Sequence, residues 1–419
     1  MAMQEFQYIQ DILKEFYAPA IVNLVYKKAP LWAQIEKKVT GMTGKRVYIP
    51  VQTAFTEAVG SRVANNYALP TAQRNAYDSA YIYMRRFYGR IQVDGFSIES
   101  SKGKGGWIDI LAGETKGVAN AFALEMDQQS LGRGDSVLGH VASVSTVTVT
   151  VDNPHGIVGD TPVTKFFRVG QVCDVYDATD SFATKIKDSA TVTAVSAANG
   201  TVTFDTDMSA STSVADGDYI VREDSFTATT PNTHMGNMMG IDGIISADDH
   251  PLAADFEGID RSAQPLWCSH VDTASKVISE QVIQEELEEI SKITDGEPVD
   301  LLLTTYAIKN KLIDIIRSDR VVDSMDLNAG YKALKFYGGE FGEIPIMVHK
   351  NAPAGYMYFI SRPHLKFYTL QKLTWDNKGG GIVKPVAGYD AYESWFKLYA
   401  NLGTDCPNAM GKLTGLTVS

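Results

Sequence analysis

The segment WCSHVD brings Cys268, His270 and Asp272 within six residues. A thiol, an imidazole and a carboxylate are the parts of a nucleophilic centre, where the base takes the thiol proton and the acid orients the base. Adjacency along the chain does not put side chains in contact, and no second motif accompanies these three, so they read as structural. SADDHP offers Asp248, Asp249 and His250, donors that suit a metal. The spacing matches neither the H-E-x-x-H of a zinc helix nor a calcium loop, and the segment reads as solvated loop. The glycine-rich window is YGGEFGEIPIMVHKNAP, residues 337–353. A phosphate loop needs G-x-x-x-x-G-K-[ST] between a strand and a helix. This window has no lysine in that place, a strand pattern follows it and its acids repel phosphate, so its glycines read as turns. KGKGGW (102–107) precedes a helical pattern, where an anion can sit on a helix N-terminus, yet it lacks the full spacing and reads as a joint. Glu285, Glu286, Glu288 and Glu289 read as the wet face of a helix. No catalytic signature, metal set or cofactor motif emerges, and the chain reads as a non-enzyme.

The elements that would position such residues belong to a chain of 419 residues, 44% hydrophobic and 21% charged, a globular composition sized for about two to four domains. No apolar run is long enough to span a bilayer, and the amphipathic, acid-containing N-terminus resembles no targeting peptide. Cys173, Cys268 and Cys406 are scattered, which suggests a reducing site of synthesis and no disulfide framework. The net charge is −12, unlike a protein that grips nucleic acid through its phosphates. Residues 1–106 hold 14 Lys+Arg against 8 Asp+Glu, whereas 107–419 hold 24 against 42. A basic arm on an acidic body suits self-association; the plain alternative is incidental surface charge.

Phe6, Ile9, Leu13 and Phe16 predict a helix over 5–17 that Pro19 ends, and a second short amphipathic piece covers 20–38. KRVYIPVQT and AYIYMRRFYGRI predict the two arms of a long β-hairpin whose polar tip leaves the core. After GGW, Ile108, Leu111, Val118, Phe122 and Met126 predict a helix of about five turns. Residues 137–226 are Thr/Val/Asp-rich, alternate, carry 5 Lys+Arg against 12 Asp+Glu, and predict a small all-β block, a barrel or sandwich. A helix is expected over 272–293, then a buried strand VDLLLTT, then a helix YAIKNKLIDIIR capped by Thr304 or Thr305. Strand-turn-strand units and an aromatic strand, WFKLYANLGT, complete the chain.

In this order the elements resemble the major capsid proteins of tailed bacteriophages with the Hong Kong 97-like fold. The resemblance rests on element order and local phrasing across most of the chain outside 137–226. It implies an α+β fold with an all-β insertion. The implied segments are an N-terminal arm (1–44), an E-loop hairpin opening the peripheral domain (45–99), a spine helix (100–136), the insertion (137–226), a peripheral return (227–271), an axial domain (272–390) and a terminal peripheral strand (391–419). The turns of 337–353 would then lie in the axial domain. No lysine occurs between Lys45 and Lys102, so the isopeptide locking of some members is not expected.

The resemblance implies self-assembly as hexamers and pentamers into an icosahedral head around double-stranded DNA, in a virion made in the bacterial cytoplasm, with no membrane. The implied partners are other copies, a separate scaffolding protein and a portal, with room for a decoration protein. An encapsulin-like nanocompartment and a carbohydrate-binding adhesin remain as alternatives. Arg62, Arg74, Arg85 and Arg86, on or beside the hairpin, are the candidate contacts to carboxylates of a neighbouring subunit. No catalytic, cofactor or metal residue is expected.

Overall fold

A computed structural model describes residues 31, 35–38, 44, 46–61, 69–96, 106–180, 182–209, 214–226, 236–250, 255–294, 298–317, 324–326, 332–338, 341–377 and 383–418. The helix expected over 5–17, most of the arm, Arg62, and Gly103 and Gly105 of the joint lie outside these residues. Strands β1 (Glu36–Lys38), β2 (Arg46–Ala54), β3 (Ala76–Tyr83) and β4 (Arg85–Asp94) precede helix α1 (Gly106–Gln129). Then come β5 (Val137–Ser145), β6 (Thr148–Asp152), β7 (Val172–Tyr176), β8 (Lys185–Ser196), β9 (Thr201–Phe204) and β10 (Tyr219–Arg222). Helix α2 (Ile241–Ile244), β11 (His270–Asp272), α3 (Glu280–Thr294), β12 (Leu301–Thr304) and α4 (Tyr306–Arg317) follow. The chain continues with β13 (Ser324–Asp326), β14 (Lys332–Tyr337), β15 (Glu343–Val348), β16 (Met357–Ile360) and β17 (Leu365–Trp375). It closes with β18 (Lys384–Pro385), β19 (Ala391–Thr404) and β20 (Gly411–Leu413).

These strands make a seven-stranded mixed sheet (β11-β20-β16-β12-β15-β14-β13), a five-stranded sheet, a closed six-stranded barrel and a two-stranded ribbon. At the centre of the first sheet, LLLT of β12 is buried on both faces. Alternation sends Leu302 to a core with Ile283, Leu287 and Leu312 of α3 and α4. Leu301 and Leu303 enter the opposite core, shared with α1 and the five-stranded sheet. There Phe122 of α1 meets Phe87 of β4 and Phe396 of β19 edge-on, with centroids 6.5 and 5.2 Å apart.

The barrel closes in the order β10-β5-β6-β9-β8-β7. Its alternating runs put Val149, Val151, Val192 and Val202 inside with Phe166 and Phe204, while the threonines between them face outward. Closure leaves this block no unpaired edge.

Four expectations change. Helix α3 starts at Glu280, not 272. The preceding residues are held extended by the C-terminus, through β11 against β20 and the pairing of Ile278 N–H with Thr417 O. The Ser279 hydroxyl then accepts Val282 N–H at the helix start. Thr304 does not cap α4, because its hydroxyl donates to Tyr356 O, 2.8 Å away. Glu286 is not on a wet face; it is buried against His270. The expected division at 390/391 does not follow the sheets either. Strand β17, expected with the axial sheet, pairs along β19 from Leu365↔Thr404 to Trp375↔Phe396, while β20 joins the seven-stranded sheet.

Candidate functional site

The β2–β3 ribbon pairs Arg46 with Tyr83 at its root and Ala54 with Ala76 further out. Tyr48, Phe55, Val59, Leu69 and Tyr77 on it and its tip are exposed, Leu69 by 87%. Ile49 and Val51 on one face of β2 pack against the core, and a two-stranded ribbon that extends beyond such contacts has little stability of its own in water. Local contacts stiffen this one. The Arg46 guanidinium lies 4.9, 5.0 and 5.6 Å from the ring centres of Tyr48, Tyr81 and Tyr83. Asn75 Oδ1 accepts the Thr56 amide across the tip at 2.9 Å.

The root is buried. Ala80 and Ile82 enter the core, Tyr81 N–H donates to Glu257 O at 2.7 Å, and Asn401 Nδ2 donates to Tyr83 O at 2.8 Å. Strand alternation then separates two of the candidate arginines. Arg85 is 6% exposed in the single chain, and burial pulls its pKa down to about 10. Arg86 and Arg74 are exposed. Arg86 also borders a cleft of about 420 Å³ between β4, α1 and the base of the barrel.

Side chains of α1 set the position of the barrel. Glu125 pairs with Arg222, and Gln128 Oε1 accepts Arg168 Nη2 at 2.9 Å. His155 stacks on Phe166 at 3.8 Å, and burial, with the charges of Lys165 and Arg133, lowers its pKa to about 3, so it is neutral. The loop 349–355, at the end of the glycine window, meets both units. Asp127 of α1 receives His349 Nε2 at 2.8 Å, Lys350 Nζ at 3.0 Å and Asn351 Nδ2 at 3.1 Å. Asp160 of the barrel receives Ala354 N–H at 3.0 Å and pairs with Lys165. Burial pushes the Asp127 carboxyl up, but His349 and Lys350 outweigh it and hold the group below the usual carboxylate range.

The residues that suggested chemistry do not converge. Cys268 Sγ faces the carbonyls of Ala247 and Arg261, and burial pushes its thiol up, away from the thiolate. His270 turns instead to Glu286 at 2.8 Å, and Asp272 to Lys276 at 2.7 Å. Asp249 Oδ1 and Asp248 O accept from Arg261, and burial holds His250 neutral, with a pKa of about 3. Among the described residues no group of three or more His, Cys, Asp and Glu could hold a metal, and no helix is long and apolar enough to cross a membrane. The glycine window is a β14–β15 turn, with Gly338 N–H bonded to Gly342 O and Tyr337 opposite Glu343. In the barrel Phe166, Phe167, Tyr176, Phe204 and Phe226 are buried and Phe182 stacks on Tyr219 at 3.8 Å. A sugar-stacking platform needs exposed ring faces, which these are not.

What the fold presents is a set of rigid joints and one exposed ribbon: the arrangement of a building block. It is α+β with mixed sheets, consistent with the Hong Kong 97-like capsid fold. The capsid chain of cyanophage A-1(L) superposes with a TM-score of 0.54 at 11% identity, over 93% of both chains. The capsid of Myoviridae phage XM1 gives 0.44 at 10% identity over 92% of this chain and 91% of that one. The holo-SrpI encapsulin complex from Synechococcus elongatus PCC 7942 gives 0.44 at 7% over 93% and 88%. The first likeness bears on the fold alone, and the other two carry no weight. No curated protein matches the chain. The model of the SU10 major capsid protein family matches residues 165–417, and the chain belongs to that family. It is a capsid structural protein.

Proposed function

We propose that this chain assembles as hexamers and pentamers into the icosahedral head of a tailed phage, enclosing double-stranded DNA. The observation that carries the reading is the β2–β3 ribbon, whose Tyr48, Phe55, Leu69 and Tyr77 stay exposed among the described residues although its root packs on the core. A neighbouring copy covers these side chains, and closed symmetry repeats the contact throughout the shell. In this reading residues 1–44 are the arm, the ribbon is the E-loop, α1 is the spine and the five-stranded sheet is peripheral. The seven-stranded sheet is axial, and the barrel is an insertion on the outer face. Arg62, Arg74 and Arg86 meet carboxylates of the neighbour. The chain works without catalysis or cofactor, with a separate scaffolding protein and a portal as partners. Its net charge of −12 keeps the wall from trapping DNA.

Electron microscopy of the purified chain, alone and with its scaffolding partner, tests this. Closed polyhedral shells are the expected product. Replacing 55–75 by a short Gly/Ser turn should abolish them while leaving a folded subunit. Shells that form unchanged without the tip would remove the basis of the reading.

A further inference from the structure

Glu257 is a buried acid that none of these joints uses. It is 8% exposed and neither carboxylate oxygen makes a full hydrogen bond, the Thr404 amide being the backbone donor turned toward it. It sits where the ribbon is rooted. Glu257 holds a left-handed φ of 53°, and its carbonyl accepts Tyr81 N–H of β3 at 2.7 Å. Gly258, at φ 85°, lies so close under the Tyr81 ring that a Cβ would collide with it. Gly403 of β19 leaves the space that Ile82 Cδ1 and Glu257 Oε1 share. Residue 257 therefore holds the ribbon root through its carbonyl, while its carboxyl lies beside Ile82 of the ribbon and Gly403 of the central strand β19.

The charges that face it give little relief. The Arg261 guanidinium is attractive, but it is spent on the carbonyls of Trp267, Gly243, Asp248 and Ile244. Asp405, beyond the end of β19, repels it and is itself held by His364 and Lys366. On β3 the Tyr81 ring packs over Gly258, next in the chain, and its phenol has its own pKa raised, chiefly by burial and by Asp255. Burial therefore dominates and pushes the Glu257 carboxyl up to about 8.

We propose that Glu257 is a proton-controlled latch for the β2–β3 ribbon: its neutral carboxyl lets the ribbon root seat on the 255–259 turn, and ionisation unseats it. The seated form holds the proton and the open form, with its carboxyl in water, releases it in the usual range near about 4.3. Seating is thus tightest below that range, weakens as pH rises toward 8, and levels off above. Between those limits the opening constant rises about tenfold per pH unit. The latch acts within one chain and does not depend on the assembly reading.

Hydrogen exchange at the Tyr81 amide in the full-length chain, from pH 5.5 to 8 and divided by the intrinsic base-catalysed rate, reads this constant. Wild type should show the tenfold slope, and Glu257→Gln should be flat. A flat wild-type profile, or the same slope in the variant, overturns the latch. Should the variant fail to fold, a carbon-13 titration of the Glu257 carboxyl in wild type decides: a midpoint near 8 supports the latch, and one in the usual carboxylate range overturns it.

Discussion

His349 Nε2 lies 2.8 Å from Asp127 Oδ1, which joins the loop after β15 to helix α1 across 222 residues of chain. The Asn351 amide lies 3.2 Å from His349 Nδ1, which holds the ring with Nε2 toward the carboxylate. Lys350 adds a positive charge at 3.0 Å. One carboxylate thus ties the helix to the loop that leaves β15 inside the seven-stranded sheet, and Asp160 ties the barrel to the same loop.

Asp127→Ala should destabilise the subunit by about 3 kcal/mol, because it strands the buried His349 donor and the half-buried Asn351 donor. Denaturant unfolding of the purified chain measures this. The Asp127 pKa is depressed in the fold, so its contribution is present above the unfolded carboxyl range and is lost as pH falls through the lower folded value. Wild type should therefore lose stability on acidification below about pH 4, and the variant should lose less.

Arg85 and Arg86 are neighbours with opposite fates. Arg86→Glu should leave the melting temperature nearly unchanged, since surface substitutions usually shift stability by less than about 0.5 kcal/mol. It should impair assembly, and high salt should mimic it in wild type. Arg85→Glu should instead prevent folding by burying a carboxylate at a core position. Circular dichroism and sedimentation of the two single variants separate the effects.

On the ribbon, Phe55→Ser combined with Leu69→Ser should shift subunit stability by less than about 0.5 kcal/mol, because both side chains are exposed in the single chain. Assembly yield, read by sedimentation, should fall. Normal shells from this double variant would mean that these side chains stay in solvent.

The barrel has its own core of Val149, Val192, Val202 and Phe204. Residues 137–226 expressed alone should give a cooperative thermal transition. The rest of the chain, with a Gly/Ser linker joining 136 to 227, should still fold but melt lower, having lost the Glu125–Arg222 and Asp160–Ala354 contacts. A fragment without a transition would show that these contacts are what hold the barrel together.

Local periodicity by itself determined the kinds of element. Val/Thr alternation in 146–151 and 201–204 puts one face inside whichever partner strand lies alongside, so the strands of the barrel are legible residue by residue. YAIKNKLIDIIR reads as a helix and is one from end to end. The family resemblance, carried by element order, is likewise a property of the linear chain. Partner choice is not, because it depends on surface buried by residues far away. The stretch 272–279 carries a helical pattern, yet the C-terminus claims it for a ladder. Glu286 has the spacing of its exposed neighbours and is buried only because β11 places His270 beside it. Strand alternation requires that one of Arg85 and Arg86 face inward, but which one follows from the side of β4 that α1 covers. Glu257 carries no signal at all in the sequence. Its character comes from Tyr81, Ile82 and Gly403, which meet only once the ribbon and the sheet are assembled, so its burial and its raised pKa were decided by the tertiary structure alone.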